Sequence, residues 1–384
     1  MKTKRVIVLN ILLIISFHSS FAQYDSIFHD GIYRTYLLRL PASYSEENAY
    51  PLVIAMHGGF GNANNLENQS QLSVKANADD FVVVYPEGVK SPGLGISSWN
   101  AGWCCGYASN ADIDDVGFID QLLDELIGEY SIDFNRVYAT GMSNGGFMSY
   151  RLACELPDRI AAIAPVSCSM AMVNCTPERG VPVIHFHSFQ DTSIPWEGGV
   201  GDGASGHHNP PTDSVLNAWA ALNGCNVLND TLENTDEYTH NRWSDCECGA
   251  GIELYITQDG GHSWHGGSQT VIGDQPSQFI SATDAMWEFF QGHALDCEVT
   301  GLKDNNSDEL FSIYPNPTAN VLNFTSSSND TPWSIVVFNA HGQLIELAEN
   351  ITSINLGPHP DGIYFVLIRS GEYYAVKKVI KTRH

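Results

Sequence analysis

Residues 136–153 read RVYATGMSNGGFMSYRLA, a short apolar run that enters a glycine-rich turn and is followed by a helical pattern. Residues 136–140 are typical of a buried strand and residues 147–153 of a helix. Between them, Gly141 and Gly145 flank Ser143 in a G-x-S-x-G arrangement, whose small residues permit a sharp strand-to-helix turn that exposes the hydroxyl. A plain glycine-rich turn is the alternative interpretation. The flanking pattern favours Ser143 as a nucleophile.

Strand-like and helix-like segments alternate on both sides of this turn. The predicted strands are nearly continuous apolar runs, and the clearest predicted helix, residues 112–130, carries apolar residues at helical spacing with acids in its first turn. Buried strands separated by helices predict a mostly parallel, doubly wound sheet of the α/β class. The other predicted strands are residues 32–40, 51–56, 81–85, 160–166, 181–187 and 252–257, and the other predicted helices are residues 67–78, 213–222 and 282–291.

The two ends of the chain differ from this α/β body, which we place at residues 23–298. Residues 1–22 combine basic residues, an apolar run and a small-residue ending, which is the pattern of a signal peptide. Residues 299–309 are polar and unpatterned, as in a linker. Residues 310–384 contain short strand patterns without a helical one and predict a small all-β sandwich domain.

The composition narrows the classes of partner. The chain has 18 basic and 44 acidic side chains, a net charge of −26. Such an excess of negative charge argues against nucleic acid and anionic membrane surfaces as partners. No apolar run reaches the roughly 18 residues of a membrane-spanning helix. We therefore expect an exported protein without a membrane span.

Nine cysteines in an exported chain predict disulfides, and the odd number predicts at least one thiol outside them. The adjacent Cys104 and Cys105 and the pair Cys246 and Cys248 lack the spacing of a zinc ribbon. Structural bridges are therefore favoured over a metal site, and no metal is predicted. The connectivity stays open, with Cys225–Cys248 as one candidate pair.

A candidate acid and base follow later strands. A serine hydrolase on such a sheet shows nucleophile, acid and base in that order, each on a loop after a strand. Asp191 follows the strand at 181–187, and His262 follows the strand at 252–257 between glycines. We therefore predict a triad in which Asp191 orients His262 and His262 accepts the proton of Ser143. A turn residue and a surface histidine are the plainer interpretations of these two positions.

Other residues compete for these roles. Asp202 and Asp213 are alternatives for the acid, but neither directly follows a strand. His265 is an alternative base and fits better as a residue lining the pocket. His185 and His187 alternate on a predicted strand, where they could bind a metal but more often lie beneath the acid loop.

The tetrahedral intermediate needs two N–H donors, and the chemistry needs no cofactor. One predicted donor is the backbone of Asn144, directly after the nucleophile. The other is Gly59 or Phe60, in the loop after the strand at 51–56.

Four tryptophans fall in loops near the predicted strand ends. An aromatic rim would suit an aromatic acyl group or a sugar ring, although packing alone also explains tryptophans. The candidates for substrate binding are Trp99, Trp103, Trp196 and Trp264.

Several motifs together resemble the secreted polyhydroxybutyrate depolymerase/feruloyl esterase family over about residues 27–295. They are HGG at 57–59, WNAG at 99–102, DDVGF at 114–118, GMSNGG at 141–146, APV at 164–166 and GGHSW at 260–264. The resemblance implies an α/β-hydrolase fold, the triad predicted above and hydrolysis of feruloyl or acetyl esters on plant xylan or of polyester chains. Residues 189–190 and His265 depart from the family pattern.

We therefore expect a serine carboxylesterase that forms an acyl-enzyme, above all a feruloyl esterase acting on plant cell-wall xylan. Acetylxylan esterase and polyhydroxybutyrate depolymerase are the alternatives on the same chemistry. A serine peptidase and an inactive glycan-binding surface protein are more distant ones.

The tail resembles the C-terminal sorting domain of the type IX secretion system of the Bacteroidota. The matching residues are YPNP at 314–317, GQ at 342–343, GIY at 362–364 and VKKVI at 376–380. A carbohydrate-binding module is disfavoured because the tail has few aromatic residues to expose. The resemblance implies the type IX machinery as a partner and a secreted or cell-surface location.

Overall fold

The computed structural model describes residues 23–172, 175–203, 206–270, 273–295, 311–326, 333–339, 344–349, 351–370 and 373–382. The predicted signal peptide at 1–22 and the predicted linker at 299–309 lie outside the described residues. Within the described part, no helix has both the length and the apolar character to cross a membrane.

The body of the chain alternates strands and helices. In chain order its elements are β1 (Gln23–His29), β2 (Ile32–Arg39), β3 (Tyr50–Met56), α1 (Ala63–Ser70), α2 (Leu72–Asp79), β4 (Val82–Pro86), β5 (Val89–Lys90), β6 (Ser97–Ser98), α3 (Gly106–Asn110), α4 (Asp115–Glu129), β7 (Ile132–Met142), α5 (Asn144–Glu155), β8 (Ala162–Val166), β9 (Val183–Ser188), β10 (Gly199–Val200), β11 (His208–Asn209), α6 (Thr212–Leu222), β12 (Val227–Asn234), β13 (Tyr238–Ser244), β14 (Ile252–Thr257) and α7 (Ala282–Gln291).

Ten strands form one sheet in the order β1-β2-β4-β3-β7-β8-β9-β14-β13-β12. The six strands from β4 to β14 pair in parallel, and antiparallel strands extend both edges. The predicted α/β class is confirmed. The carboxyl ends of the parallel strands share one edge of the sheet, which is where such folds place their binding sites.

Helices cover both faces of this sheet. Strand β3 is buried along its whole length, and its successive side chains enter two different hydrophobic clusters. Leu52 and Ile54 pack in the cluster that contains side chains of α4, α5 and α6, whereas Val53 and Ala55 pack in the one that contains side chains of α1, α2 and α7. Because side chains alternate across a strand, a fully apolar run is what a two-sided core requires.

Two features of the body differ from the prediction. The helix expected over residues 67–78 is two helices, α1 and α2, separated at Gln71, whose φ is 57°. A left-handed residue cannot continue an α-helix, so the axis breaks there. The β12–β13 hairpin was not predicted, because its strands are rich in polar residues and lack an apolar alternation.

Three bridges join described cysteines to one another, Cys104–Cys105, Cys154–Cys175 and Cys225–Cys246, and Cys168 is a free buried thiol. The candidate pair Cys225–Cys248 is wrong. The backbone of Asn226 donates to the carbonyl of Asp245 at 3.1 Å, which places Cys225 opposite Cys246. Cys248 is also disulfide-bonded.

The C-terminal part is all-β in its described residues. Its strands are β15 (Phe311–Tyr314), β16 (Val321–Ser326), β17 (Trp333–Asn339), β18 (Leu344–Glu349), β19 (Ser353–Asn355), β20 (Gly362–Ser370) and β21 (Tyr373–Lys381). They form two antiparallel sheets, β15-β16-β19 and β18-β17-β20-β21. Phe324 of the first sheet and Val337 and Val366 of the second share one hydrophobic cluster. Two sheets around one core form a small sandwich, as predicted.

Candidate active site

Ser143 occupies the sharp turn between β7 and α5. Its φ of 52° and ψ of −121° lie outside the regions that non-glycine residues prefer, so the surrounding structure must hold it there. A side chain on Gly145 would lie 2.0 Å from the carbonyl oxygen of Met56, and one on Gly141 would lie 2.5 Å from the Gly145 backbone. The Ser143 N–H donates to the Val166 carbonyl at 2.9 Å. The two glycines therefore allow β7, β3 and α5 to approach closely enough to form the turn.

Ser143 and His262 line the same cavity, of about 190 Å³. The loop at 57–61 forms another wall, and Thr270 belongs to the lining as well. The structure thus brings the predicted nucleophile, base and donor loop together.

Asp191 lies directly behind this cavity. Its carboxylate oxygen Oδ2 is 2.9 Å from His262 Nδ1. The other oxygen, Oδ1, accepts from the backbone N–H groups of Ser193 at 3.0 Å and Ile194 at 2.8 Å. Burial alone would raise the pKa of Asp191, but the charge and hydrogen bond of His262, together with His187, hold this pKa below its usual range. Asp191 is therefore an ionised carboxylate aimed at His262.

His262 is fixed by the loop that follows β14. Its backbone N–H donates to Asp274 Oδ2 at 2.7 Å, and a side chain on the neighbouring Gly261 would lie 2.3 Å from the same oxygen. Burial alone would lower the pKa of His262, but the charge and hydrogen bond of Asp191, with the charges of Asp274 and Asp202, raise it. The contact of Asp274 with His262 could not be predicted from the sequence, because Asp274 lies twelve residues further along the chain.

The raised pKa of His262 predicts the pH dependence of the expected ester hydrolysis. As the pH falls through this pKa, His262 gains a proton and cannot accept one from Ser143, so kcat/KM falls. We expect the midpoint of this acidic limb to lie above the usual histidine pKa. Asp274→Asn should move it to lower pH, since the amide oxygen still accepts the His262 N–H while the negative charge is lost. A kcat/KM profile measures the shift, with Asp213→Asn as the control that leaves it in place.

The two possible donors in the loop at 57–61 differ in the structure. The Phe60 N–H donates to the Ser97 carbonyl at 3.1 Å, so it is not free for a substrate and this alternative is wrong. Among the described residues, neither Gly59 nor Asn144 has a hydrogen-bond acceptor for its backbone N–H. These two N–H groups stay the candidate donors.

His57 holds this donor loop from below. Its Nδ1 lies 2.7 Å from the Gly58 carbonyl and donates to it, and its Nε2 accepts from the Gly88 N–H at 3.0 Å. Burial lowers the pKa of His57 to about 4, so the ring stays neutral and keeps both bonds.

Trp99 connects the two donors. Its backbone N–H donates to the Asn144 side-chain oxygen at 2.7 Å, and its carbonyl accepts from the Asn144 amide at 3.0 Å. Its indole N–H donates to the His57 carbonyl at 3.0 Å. The expected role in substrate binding is wrong, because Trp99 has no exposed surface. Trp99 links the turn at Ser143 to the donor loop at residues 57–61, and only the tertiary contacts show this role.

Trp99→Phe should therefore lower kcat about tenfold and leave KM nearly unchanged, because the His57 carbonyl loses its partner and the donor loop loses its anchor. Trp219→Phe is a matched control, since that buried indole also donates to a backbone carbonyl, that of Val181, at 2.8 Å. Equal kcat losses in the two variants would contradict the assignment.

The remaining aromatic candidates divide by burial. Trp264 is fully buried and donates to Thr283 at 3.0 Å, so its predicted place at the rim is wrong. Trp103 and Trp196 are half-buried and stay candidates for substrate binding.

His265 is 1% exposed, so it packs inside rather than lining the pocket. The described residues contain no group of three or more side chains placed to hold a metal ion.

Two family models match parts of the chain. Residues 34–175 match the family model described as esterase PHB depolymerase, and residues 312–382 match the secretion system C-terminal sorting domain.

Curated relatives of the first part are esterases by name. Feruloyl esterase B of Piromyces equi is 30% identical over 239 residues, which cover 60% of this chain and 42% of the relative. The bifunctional acetylxylan esterase/xylanase XynS20E of Neocallimastix patriciarum is 28% identical, covering 56% and 29%. Feruloyl esterase C of Emericella nidulans is 26% identical, covering 67% and 83%. The chain thus spans less than half the length of the first two relatives. Residues 34–175 are thus similar to the esterase PHB depolymerase family, and residues 312–382 are similar to secretion system C-terminal sorting domains.

Proposed function

We propose that this protein is a serine carboxylesterase that acts through an acyl-enzyme on feruloyl esters of plant cell-wall xylan. The observation that carries the proposal is the meeting of Ser143, on its strained turn, with the hydrogen-bonded pair of His262 and Asp191 at one cavity. The feruloyl esterases among the relatives support the choice of ester. An acetylxylan esterase is the second candidate, because one relative bears that name.

The reaction follows from this arrangement. Ser143 Oγ attacks the ester carbonyl carbon while its proton passes to His262 Nε2, and Asp191 stabilises the imidazolium through the Nδ1 proton. The carbonyl oxygen becomes an oxyanion and accepts from the N–H groups of Asn144 and Gly59. His262 then gives its proton to the leaving alcohol as the carbon–oxygen bond breaks. Water, deprotonated by His262, attacks the acyl-enzyme and releases the acid.

The proposed division of the chain places this chemistry in residues 23–298, with a linker at 299–309 and the sorting domain at 310–384. The sorting domain marks the protein as secreted or held at the cell surface. The type IX machinery is then the partner that exports it. Its substrate would be met outside the cell, as a polymer too large to enter.

A release assay with the full chain tests the substrate. Feruloylated xylan, acetylxylan and polyhydroxybutyrate are supplied separately, and ferulate, acetate and hydroxybutyrate are quantified. We expect ferulate from the first at the highest kcat/KM. Acetate or hydroxybutyrate alone would move the assignment to the corresponding alternative, and peptide cleavage without ester cleavage to a peptidase. Failure of a fluorophosphonate to label Ser143 would favour an inactive glycan-binding protein.

A further inference from the structure

A line of hydrogen bonds runs behind Asp191 and takes no part in the reaction derived above. The Tyr150 hydroxyl lies 2.9 Å from His185 Nδ1. His185 Nε2 lies 3.2 Å from His187 Nδ1, and His187 Nε2 lies 2.8 Å from the Ile194 carbonyl oxygen. Tyr150, His185 and His187 are fully buried and Ile194 is 5% exposed. Buried imidazoles are costly unless each ring nitrogen has a partner, and here all four have one.

The chemistry of the groups fixes the direction of this line. The Ile194 carbonyl can only accept, so His187 Nε2 carries a hydrogen. Burial lowers the pKa of both His185 and His187, so both rings are neutral. Neutral His187 therefore accepts at Nδ1 from His185 Nε2–H, and His185 accepts at Nδ1 from the Tyr150 hydroxyl. Each ring is thus held in its Nε2–H tautomer, with no nitrogen left for a metal.

The line ends on the turn that orients the acid. Ile194 receives the hydrogen bond of His187 at its carbonyl and gives its own N–H to Asp191 Oδ1 at 2.8 Å. His187 Nε2 also lies 3.8 Å from Asp191 Oδ2, the oxygen that binds His262. A shift of His187 would therefore move both oxygens of the carboxylate relative to His262.

We propose that His187, held in one tautomer by the Ile194 carbonyl and by His185, is a positioning residue that fixes the Asp191 turn and through it the ring of His262. The inference rests on the proposed function and deepens it. It also explains why two histidines stand on a buried strand where apolar side chains would pack at lower cost.

The test compares His187→Leu with His187→Gln in the full chain. The glutamine amide nitrogen can reach the position of Nε2 and donate to Ile194, whereas leucine cannot. We expect His187→Leu to lower kcat for an aryl acetate about tenfold to a hundredfold with KM nearly unchanged, and His187→Gln to recover most of the loss. In the NMR spectrum, the downfield Nδ1 proton of His262 should weaken or shift in the leucine variant and return in the glutamine variant.

The proton resonance separates this inference from the proposed function. If the wild-type protein cleaves no ester, the proposed function fails, but the resonance still reports whether His187 positions the Asp191–His262 pair. Equal kcat and an unchanged resonance in folded His187→Leu would overturn the inference. The inference would also be overturned if His187→Leu and His187→Gln lost kcat equally and the loss followed only the fall in melting temperature. If His187→Leu does not fold, Tyr150→Phe gives the same readouts, since it removes only the hydroxyl that holds His185, the ring that donates to His187.

Discussion

Ser143→Ala is expected to lower kcat for an aryl ester by about five orders of magnitude or more, because no other group can form the acyl-enzyme. The one free thiol described, Cys168, cannot replace it: burial raises its pKa well above the usual range, so it stays a protonated thiol away from solvent. Burst and steady-state measurements of aryl alcohol release by the wild-type protein and by Ser143→Ala measure the loss of kcat.

The matched control for this variant is Ser149→Ala. Ser149 is also buried in α5, and its hydroxyl donates to the Gly145 carbonyl one turn earlier at 3.1 Å. Its loss should leave kcat within about twofold, since a hydroxyl bonded to its own helix contributes little. Retained activity in Ser143→Ala would remove the serine mechanism altogether.

Gly145→Ala is expected to destabilise the α/β body by about 3 kcal/mol or more, and to lower its melting temperature by roughly 10 °C. The added methyl group would lie 2.0 Å from the carbonyl oxygen of Met56 and 2.8 Å from that of His57. Both contacts are backbone atoms, so neither can turn aside as a side chain would. Relief requires α5 to move away from β3, which opens the turn at Ser143. Chemical denaturation measures the loss.

Gly128→Ala provides the comparison. Gly128 also lies in a helix, α4, but a side chain there would meet no atom within 4 Å. Alanine favours the helix over glycine, so this variant should gain up to about 1 kcal/mol. A similar small effect at both glycines would contradict the close approach inferred at Gly145.

Most of the α/β body could be predicted because its strands are buried on both faces and read as unbroken apolar runs. The break between α1 and α2 could not be, since Gln71 is not a residue that favours a left-handed conformation. The polar β12–β13 hairpin pairs through backbone hydrogen bonds at the sheet edge, and such pairing leaves little trace in side-chain pattern.

The candidate site divides in the same way. Ser143, Asp191 and His262 could be proposed because each follows a strand, and parallel strands bring their carboxyl ends to one edge. The tryptophans could not be sorted, since an indole in a loop looks the same in sequence whether it faces a cavity or the core. The choice of Gly59 over Phe60 as the second oxyanion donor depended on the Phe60 N–H, which donates to the Ser97 carbonyl. The sequence alone does not show this contact.

Cys168 lies directly beneath the nucleophile turn, where its sulfur would be 2.6 Å from a side chain on Gly146. Fully buried, it meets a thiol reagent only when α5 lifts from the sheet. The rate at which Cys168 is alkylated in native conditions therefore measures the free energy of the local opening between α5 and the sheet. Amide hydrogen exchange measures local opening in the same way. The reactivity of Cys168 thus reports how often the structure around the Ser143 turn opens.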